Sequence, residues 1–218
     1  MACDTCSGQE WVEDAARRLP GPTMELIQAE FVSTMREFFS RSSCWTADLT
    51  PQDIVAGQVE YCFDPITAGV VINYMRIVRV GVYPIRPMPT LQVRNVTPAD
   101  QPSSYSNPEP NTVILYPIPA IDIADGLSVN ASLIPTTCDV EFPSYIKTQF
   151  YEPLFDGLLG RMYSYPDRPW TSPELAKYHL RRFRSGMARV RGIAEQGLNR
   201  SSGLWAFPSY ANNGGQRR

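Results

Sequence analysis

The sequence is poor in the residues and loops that most enzyme mechanisms require. It has one histidine, His179, so any His-dependent triad would have to use it, and no glycine-framed serine or matching cysteine context is present. Phosphate-binding loops of the GxxxxGK(S/T) or GxGxxG kind are missing. We therefore expect a protein that is not an enzyme and has no cofactor. Carboxylates are plentiful, so a two-carboxylate hydrolase stays an alternative, although nothing in the sequence supports it.

Cysteine usage and hydropathy exclude further classes. Cys3 and Cys6 form one CxxC pair, but zinc needs four ligands and the other cysteines (Cys44, Cys62, Cys138) are scattered. We expect no metal site, and the odd number of cysteines fits free thiols in a reducing cell. No stretch reaches the ~18 apolar residues of a membrane span, and the first residues are not expected to form a signal peptide.

The composition that is present indicates a folded, mixed structure. An apolar fraction of 43% and eleven tyrosines provide enough side chain for a substantial core. Nine of the twenty prolines lie between residues 84 and 119, where they cluster. This predicts a middle region of short strands and turns, flanked by helices.

Charge is distributed unevenly along the chain. Residues 161–218 hold eleven Lys/Arg and three Asp/Glu, a balance of +8, whereas residues 1–160 hold nine and nineteen, a balance of −10. One acidic and one basic end suit contact with copies of the same chain or with oppositely charged partners.

Hydrophobic periodicity predicts helices at both ends of the sequence. A short helix over 10–21 is followed by an amphipathic helix over 22–41, and another helix covers 143–164, where Pro153 is expected to kink or divide it. The core-facing residues of the second helix lie within roughly 80° of arc at 100° per residue. They are Met24, Ile27, Phe31, Met35 and Phe38. Those of the third are Ile146, Phe150, Leu154, Leu158 and Met162.

Between these helices the period changes to that of strands, and we expect an antiparallel sheet or small sandwich. Apolar pieces around glycine turns predict hairpins at 45–65 and 74–87. Strands are expected at 112–119 and 127–135, the second with Leu127, Val129, Ala131 and Leu133 on one face. The polar, proline-dense stretch 95–111 reads as an exposed loop.

The last helix, over 173–196, combines a buried stripe with an unusual density of basic residues. Thr171 and Ser172 compete as its N-cap, because Thr171 with Glu174 would make a capping box while Ser172 precedes Pro173. The stripe comprises Ala176, Leu180, Phe183, Met187, Val190 and Ala194. Lys177, Arg184 and Arg191 form one basic row, and Arg181, Arg182 and Arg189 occupy the far side. His179 lies near the boundary of the stripe, where packing explains it better than catalysis.

The basic helix leaves two interpretations open. A sequence-reading DNA helix presents Asn, Gln or Arg to bases, whereas here the outward face holds arginines with one lysine and lacks a turn-helix partner. Phosphate neutralisation without specificity stays an alternative function, that of a non-specific nucleic-acid-binding protein. Pairing with the acidic remainder of neighbouring subunits is the other interpretation.

The C-terminal segment has a composition that points to docking. Residues 198–218 are polar and glycine-rich, yet they carry Trp205, Phe207 and Tyr210. A terminal tail without a core of its own has no internal use for three aromatics, so we expect them to anchor in a partner's groove.

Several short motifs, taken in order, resemble a known family. They are FFSRS (38–42), Trp45, DIVAGQVEY (53–61), LYPIP (115–119), PWTSPELA (169–176) and the Arg/Phe-rich helix to Arg191. This order resembles the head-to-tail adaptor (connector, or tail tubular) proteins of tailed bacteriophages, and the similarity spans most of residues 22–192.

The resemblance implies an architecture and a role. The implied fold is α+β, a helical bundle from the N- and C-terminal helices with an inserted antiparallel β-domain and an extended C-terminal tail. The corresponding divisions are 1–44, 45–142, 143–197 and 198–218. The family assembles as a ring, commonly of twelve copies, under the portal, extends the DNA channel and carries the next tail or nozzle protein. The protein would then lie at the head-tail interface of the virion, after assembly in the host cytoplasm.

Within that role, two groups of residues are expected to make contacts. The basic rows (Lys177, Arg181, Arg182, Arg184, Arg189, Arg191) would reach acidic surfaces of the adjacent subunit or portal, or line the path of double-stranded DNA. The tail would dock on the portal through Trp205, Phe207, Tyr210, Arg217 and Arg218.

Overall fold

The computed structural model describes residues 5–89 and 99–196 of the chain. These two ranges contain four helices and eleven strands. The helices are α1 (Gln9–Arg18), α2 (Met24–Ser42), α3 (Ser144–Tyr163) and α4 (Pro173–Gln196). The strands before the gap are β1 (Thr5–Cys6), β2 (Thr46–Asp48), β3 (Gln52–Ile54), β4 (Glu60–Cys62), β5 (Val70–Val80), β6 (Tyr83–Pro84) and β7 (Arg86–Pro87). Those after it are β8 (Ser104–Ser106), β9 (Thr112–Tyr116), β10 (Ile123–Pro135) and β11 (Phe142–Pro143).

Helix α2 forms where the 3.6-residue period predicts it. The hydroxyl of Thr23 accepts a hydrogen bond from the Leu26 amide at 3.4 Å, which satisfies one free donor at the helix start. Four of the five predicted core residues are fully buried, and Met24 is not, with 42% of its surface exposed. The prediction that Met24 faces the core was therefore wrong, and Met24 is the first residue of α2.

Helix α3 has a kink, as its proline predicts. Phe150 has non-helical angles (φ −120°, ψ 15°) three residues before Pro153, because proline removes a hydrogen bond and crowds the preceding turn. Beyond the kink, residues 153–160 are all buried. The second half of α3 is therefore the central helix of the bundle.

Helix α4 packs on α2 and α3 by close approach at small residues. The Phe183 ring stacks on Phe38 at 6.3 Å between centroids. A Cβ on Gly157 would lie 2.6 Å from Thr34 and 2.8 Å from Phe183, so only glycine lets α3 sit this near its neighbours. The buried stripe of the last helix therefore packs against α2 and α3, as expected for a helical bundle.

The strands form two larger sheets and one short pair. One sheet has the order β2-β10-β5-β6 with β3 also on β10, the second has the order β4-β9-β8-β7, and β1 pairs with β11. All pairs are antiparallel except β7 with β8. The predicted alternation in β10 is confirmed, since Leu127, Val129, Ala131 and Leu133 are buried.

The predicted hairpin over 45–65 is wrong in its pairing. Strand β3 pairs with β10 and β4 pairs with β9, so the two strands belong to different sheets. The turn between them is held from outside: the Ala56 amide donates to Asp122 at 2.7 Å and the Gly57 amide to the Pro119 carbonyl at 2.9 Å. Gly57 adopts φ 82°, which turns the chain toward the second sheet.

Part of the predicted loop 95–111 is also a strand. Residues 104–106 form β8, with Tyr105 and Ser106 buried, because β9 offers them an edge with which to pair. A tertiary partner thus overrides a polar, proline-dense local sequence. Residues 95–98 lie outside the described ranges.

The predicted hairpin at 74–87 is confirmed as β5 and β6, and β5 carries two bulges. Arg76 and Asn73 are each an extra residue relative to β10. Arg76 donates to the Ala194 carbonyl of α4 at 3.2 Å, and Asn73 donates to the Ser40 carbonyl of α2 at 3.4 Å. The bulges therefore satisfy carbonyls at the C-terminal ends of two helices and tie the sheet to the bundle.

One hydrophobic cluster runs through helices and sheets. Phe39 of α2 contacts Trp45 at 5.6 Å and Phe142 at 6.4 Å between ring centroids, which joins the bundle to the strands. The fold is α+β, with helices from both ends of the sequence around an inserted, mainly antiparallel β region. The predicted tail, 198–218, lies outside the described residues.

Candidate assembly surface on the last helix

Of the two predicted N-caps of α4, Ser172 is the one that occupies the N-cap position. The Ala176 amide donates to the Ser172 carbonyl at 2.9 Å, so the helix begins at Pro173. The Thr171 hydroxyl accepts from the Arg168 amide at 2.9 Å and donates to the Tyr165 carbonyl at 2.5 Å. Thr171 thus shapes the α3–α4 connection, and the Thr171–Glu174 capping box is not formed.

The buried stripe of α4 lies where the sequence predicts it. Leu180 and Ala194 are half-buried, and the other members are buried: Ala176, Phe183, Met187 and Val190. All six basic side chains named from the sequence are exposed. Their electrostatic surroundings nevertheless divide them into two groups.

Arg182 belongs to the first group, since it is held within the chain. Its Nε lies 3.0 Å from Asp156 Oδ2, and its Nη2 lies 3.5 Å from Glu152. The Asp156 side chain is 7% exposed and also contacts His179 Nδ1 at 2.8 Å. A hydrogen bond with the Tyr178 hydroxyl and the charge of Asp156 raise the pKa of Arg182. We call Asp156, His179 and Arg182 the Asp156 cluster.

Arg191 is also paired within the chain, through Glu195 at 2.8 Å. It borders a polar cleft of about 600 Å³ that includes Arg41 and Arg76. The hydrogen bond with Glu195 raises the pKa of Arg191. Since this i,i+4 pair is exposed, it contributes little to stability.

Lys177, Arg181 and Arg184 form the second group. Within residues 5–89 and 99–196, none of the three has an ion pair or hydrogen-bond partner through its side chain. Arg189 is exposed and unpaired in the same sense. The basic rows predicted from spacing alone therefore do not correspond to the paired and unpaired groups.

Lys177, Arg181 and Arg184, but not Arg189, line a groove of about 830 Å³. We call it the α3–α4 groove, with Lys177, Arg181 and Arg184 as its rim. Its apolar floor comes from the end of α3, the connection and the first half of α4: Tyr163, Pro166, Pro173, Ala176 and Leu180.

The floor of the groove is supported by the Asp156 cluster. The Tyr163 ring stacks on His179 at 5.7 Å with an interplanar angle of 22°. A Cβ at Gly160 would lie 2.9 Å from the Leu180 side chain, so α3 and α4 are in close contact beneath the floor. His179 thus lies at the predicted boundary of the stripe, and its ring supports the groove.

Other predicted sites can be placed only in part. No cluster of His, Cys, Asp or Glu that could hold a metal occurs among the described residues, and Cys3 lies outside them. Nor is any helix in those ranges long and apolar enough to cross a membrane. The predicted docking residues also lie outside the described part: Trp205, Phe207, Tyr210, Arg217 and Arg218.

Sequence reasoning missed Asp156 and the groove. Asp156 sits in the apolar run PLFDGLLG, and a single carboxylate in such a run indicates a buried charge with a partner. That signal could have separated Arg182 from its neighbours. The groove had no comparable signal, because its walls come from two helices and their connection.

A comparison with known protein families identifies the family of the chain. Residues 9–205 match the family described as SU10 adaptor protein. The chain belongs to this family of phage head-tail adaptors. It is therefore a phage adaptor protein and a component of the virion, as the resemblance of its motifs implies. No curated protein matches the sequence.

Proposed function

We propose that this adaptor forms a ring under the portal, extends the DNA channel and provides the platform on which the tail is built. The observation that carries the proposal is the family match over residues 9–205, which covers the bundle, the sheets and α4. The role needs shape and interfaces and no reaction.

The charge distribution supports repeated contact between copies. The basic segment 161–218 and the acidic remainder place complementary surfaces on one chain. Contacts between two different surfaces of identical subunits are heterologous, and they close into a ring when the rotation between copies allows it. A ring of twelve copies is the expected closure.

We assign the tail to the portal. Trp205, Phe207 and Tyr210 would fill grooves on the portal, with Arg217 and Arg218 adding charge contacts. Aromatic burial would offset the ordering cost of a segment that has no core of its own. The inserted sheet region would then face the tail or nozzle protein, with part of the basic surface along the path of double-stranded DNA.

Particle mass tests the ring directly. Mass photometry of the purified full chain, alone and with purified portal, should give a species near twelve subunits in at least the second case. A protein that stays monomeric in both samples and does not associate with the portal would contradict the proposal.

The tail is tested by substitutions that keep its length. Changing Trp205, Phe207 and Tyr210 to Ser should abolish joining to DNA-filled heads, as should truncation after Asn199. Changing Asn212 and Asn213 to Ser, in the same segment, is the matched control and should leave joining intact. Normal joining by the truncated protein would remove the tail from the docking role.

The alternative of non-specific nucleic-acid binding rests on the unpaired cations of α4. A monomer with a strongly salt-dependent affinity for duplex DNA, and no association with the portal, would favour that alternative.

A further inference from the structure

We propose that the α3–α4 groove is a binding site for an acidic segment of a partner protein, anchored by apolar side chains on the groove floor. The inference rests on the proposed function, because the portal and the downstream tail protein are the partners that an adaptor meets.

The rim determines the charge of the occupant. Lys177, Arg181 and Arg184 are spaced i, i+4 and i+7, so at 1.5 Å per residue they run about 10 Å along one edge of the groove. All three lack an ion-pair partner among the described residues, and Asp167 is the one carboxylate that lines the groove. Carboxylates of a partner would supply the missing charge, and arginine binds them through paired hydrogen bonds.

The apolar surface of the floor indicates that the occupant is a polypeptide. Tyr163, Pro166 and Leu180 line the groove together with the cations and present aromatic and aliphatic surface. A duplex backbone offers phosphates without side chains that could fill an apolar floor. An acidic segment with one or two apolar residues satisfies both halves of the groove, as in helix-in-groove recognition.

The groove is built in advance, which favours binding. Asp156 Oδ1 contacts His179 Nδ1 at 2.8 Å, and the His179 ring stacks on Tyr163 of the floor. Ser164 donates to the Gly160 carbonyl at 2.7 Å, and the Ser172 amide donates to the Tyr163 carbonyl at 3.1 Å. Because the floor is already ordered, a partner loses little affinity to ordering the site.

The adaptor's own C-terminal segment fits the groove poorly. Residues 197–218 contain Arg200, Arg217 and Arg218 and no acidic residue. Placing that segment beside the rim would bring like charges together, so it is a competing outcome of the test.

The first experiment measures affinity of the full-length chain for purified portal and, separately, for the purified downstream tail protein. The variant R181E/R184E should weaken one of the two interactions at least tenfold. The control R17E/R36E changes charge by the same amount at exposed arginines of α1 and α2 that do not line the groove. It should stay within twofold of wild type.

A second experiment identifies the occupant. A photo-crosslinking residue at position 177 of the full chain, in assembled particles, should label a segment of portal or tail protein with more Asp and Glu than Lys and Arg. Crosslinks to DNA, to residues 197–218 or to a neighbouring copy would overturn the inference.

The outcomes separate this inference from the ring proposal. If wild type binds portal and tail protein and R181E/R184E binds both equally well, the groove assignment fails while the ring proposal stands. If wild type binds neither partner, both fail.

Discussion

The two flanks of α4 have similar composition and different surroundings. On one flank Arg182 lies against the buried Asp156, whereas on the other Arg181 and Arg184 face an open groove without an ion-pair partner in the described part of the chain. Neighbouring arginines on one helix can therefore serve opposite purposes. One contributes to holding the bundle together, and the others remain available to a partner.

The comparison of the two flanks requires first that α4 packs in the helical bundle as described. Replacing the buried Phe183 with Ala should lower the free energy of unfolding by about 4 kcal/mol, because it removes a ring packed between helices and leaves a cavity. Urea denaturation followed by circular dichroism measures the change. Leu175 is an exposed apolar residue on the same helix, and Leu175→Ala should lower the free energy of unfolding by less than about 1 kcal/mol. Equal costs would mean that α4 is not packed as described.

The next largest effect is expected at Asp156. Asp156→Ala leaves Arg182 and His179 without their shared acceptor and should cost about 2–3 kcal/mol, less than for a fully buried pair because Arg182 can still reach water. The same denaturation measures it, with Asp64→Ala as the exposed control, expected within about 0.5 kcal/mol of wild type. If Asp156→Ala left the free energy of unfolding unchanged, the pairing of Arg182 would not distinguish one flank of α4 from the other.

The arginines themselves give the sharpest comparison. Arg182→Ala should lower the free energy of unfolding by about 1 kcal/mol, since a charged hydrogen bond to a buried carboxylate is lost. Arg181→Ala, one residue earlier, should leave stability within about 0.5 kcal/mol of wild type. The affinity for the partner protein should fall more for Arg181→Ala than for Arg182→Ala. A larger stability loss for Arg181→Ala would contradict the assignment.

The smallest effect is expected at Arg191. Its pair with Glu195 is exposed and lies on one helix surface, so Arg191→Ala should be indistinguishable from wild type in the same denaturation. Repeating the measurement at high salt is the control, because screening should not change the difference. A clear destabilisation would show that the cleft with Arg41 and Arg76 depends on this side chain.

Features governed by local periodicity could be predicted from the sequence. The stripe of Ile27, Phe31 and Met35 and the alternation along β10 follow from the geometry of a helix and a strand. The family resemblance has a different basis, the order of several short motifs, and the match over 9–205 confirms it.

Features that depend on distant partners could not be predicted. Tyr105 is buried in a strand because β9 lies beside it, and the β3–β4 turn crosses between sheets because Asp122 and Pro119 hold it. Likewise, nothing local to α4 distinguishes Arg182 from Arg181. The difference is a carboxylate on α3, brought close by packing at Gly157 and Gly160.

The Asp156 cluster also limits how sequences of this kind can diverge. A change at position 156 removes the acceptor of both His179 and Arg182, so these three positions should vary together or not at all among related adaptors. Lys177, Arg181 and Arg184 have no ion-pair partner in the described part of the chain. The residues at these positions can therefore change with the partner surface that the adaptor of each phage contacts. We therefore expect more sequence variation between phages on the groove side of α4 than on the side that contacts Asp156.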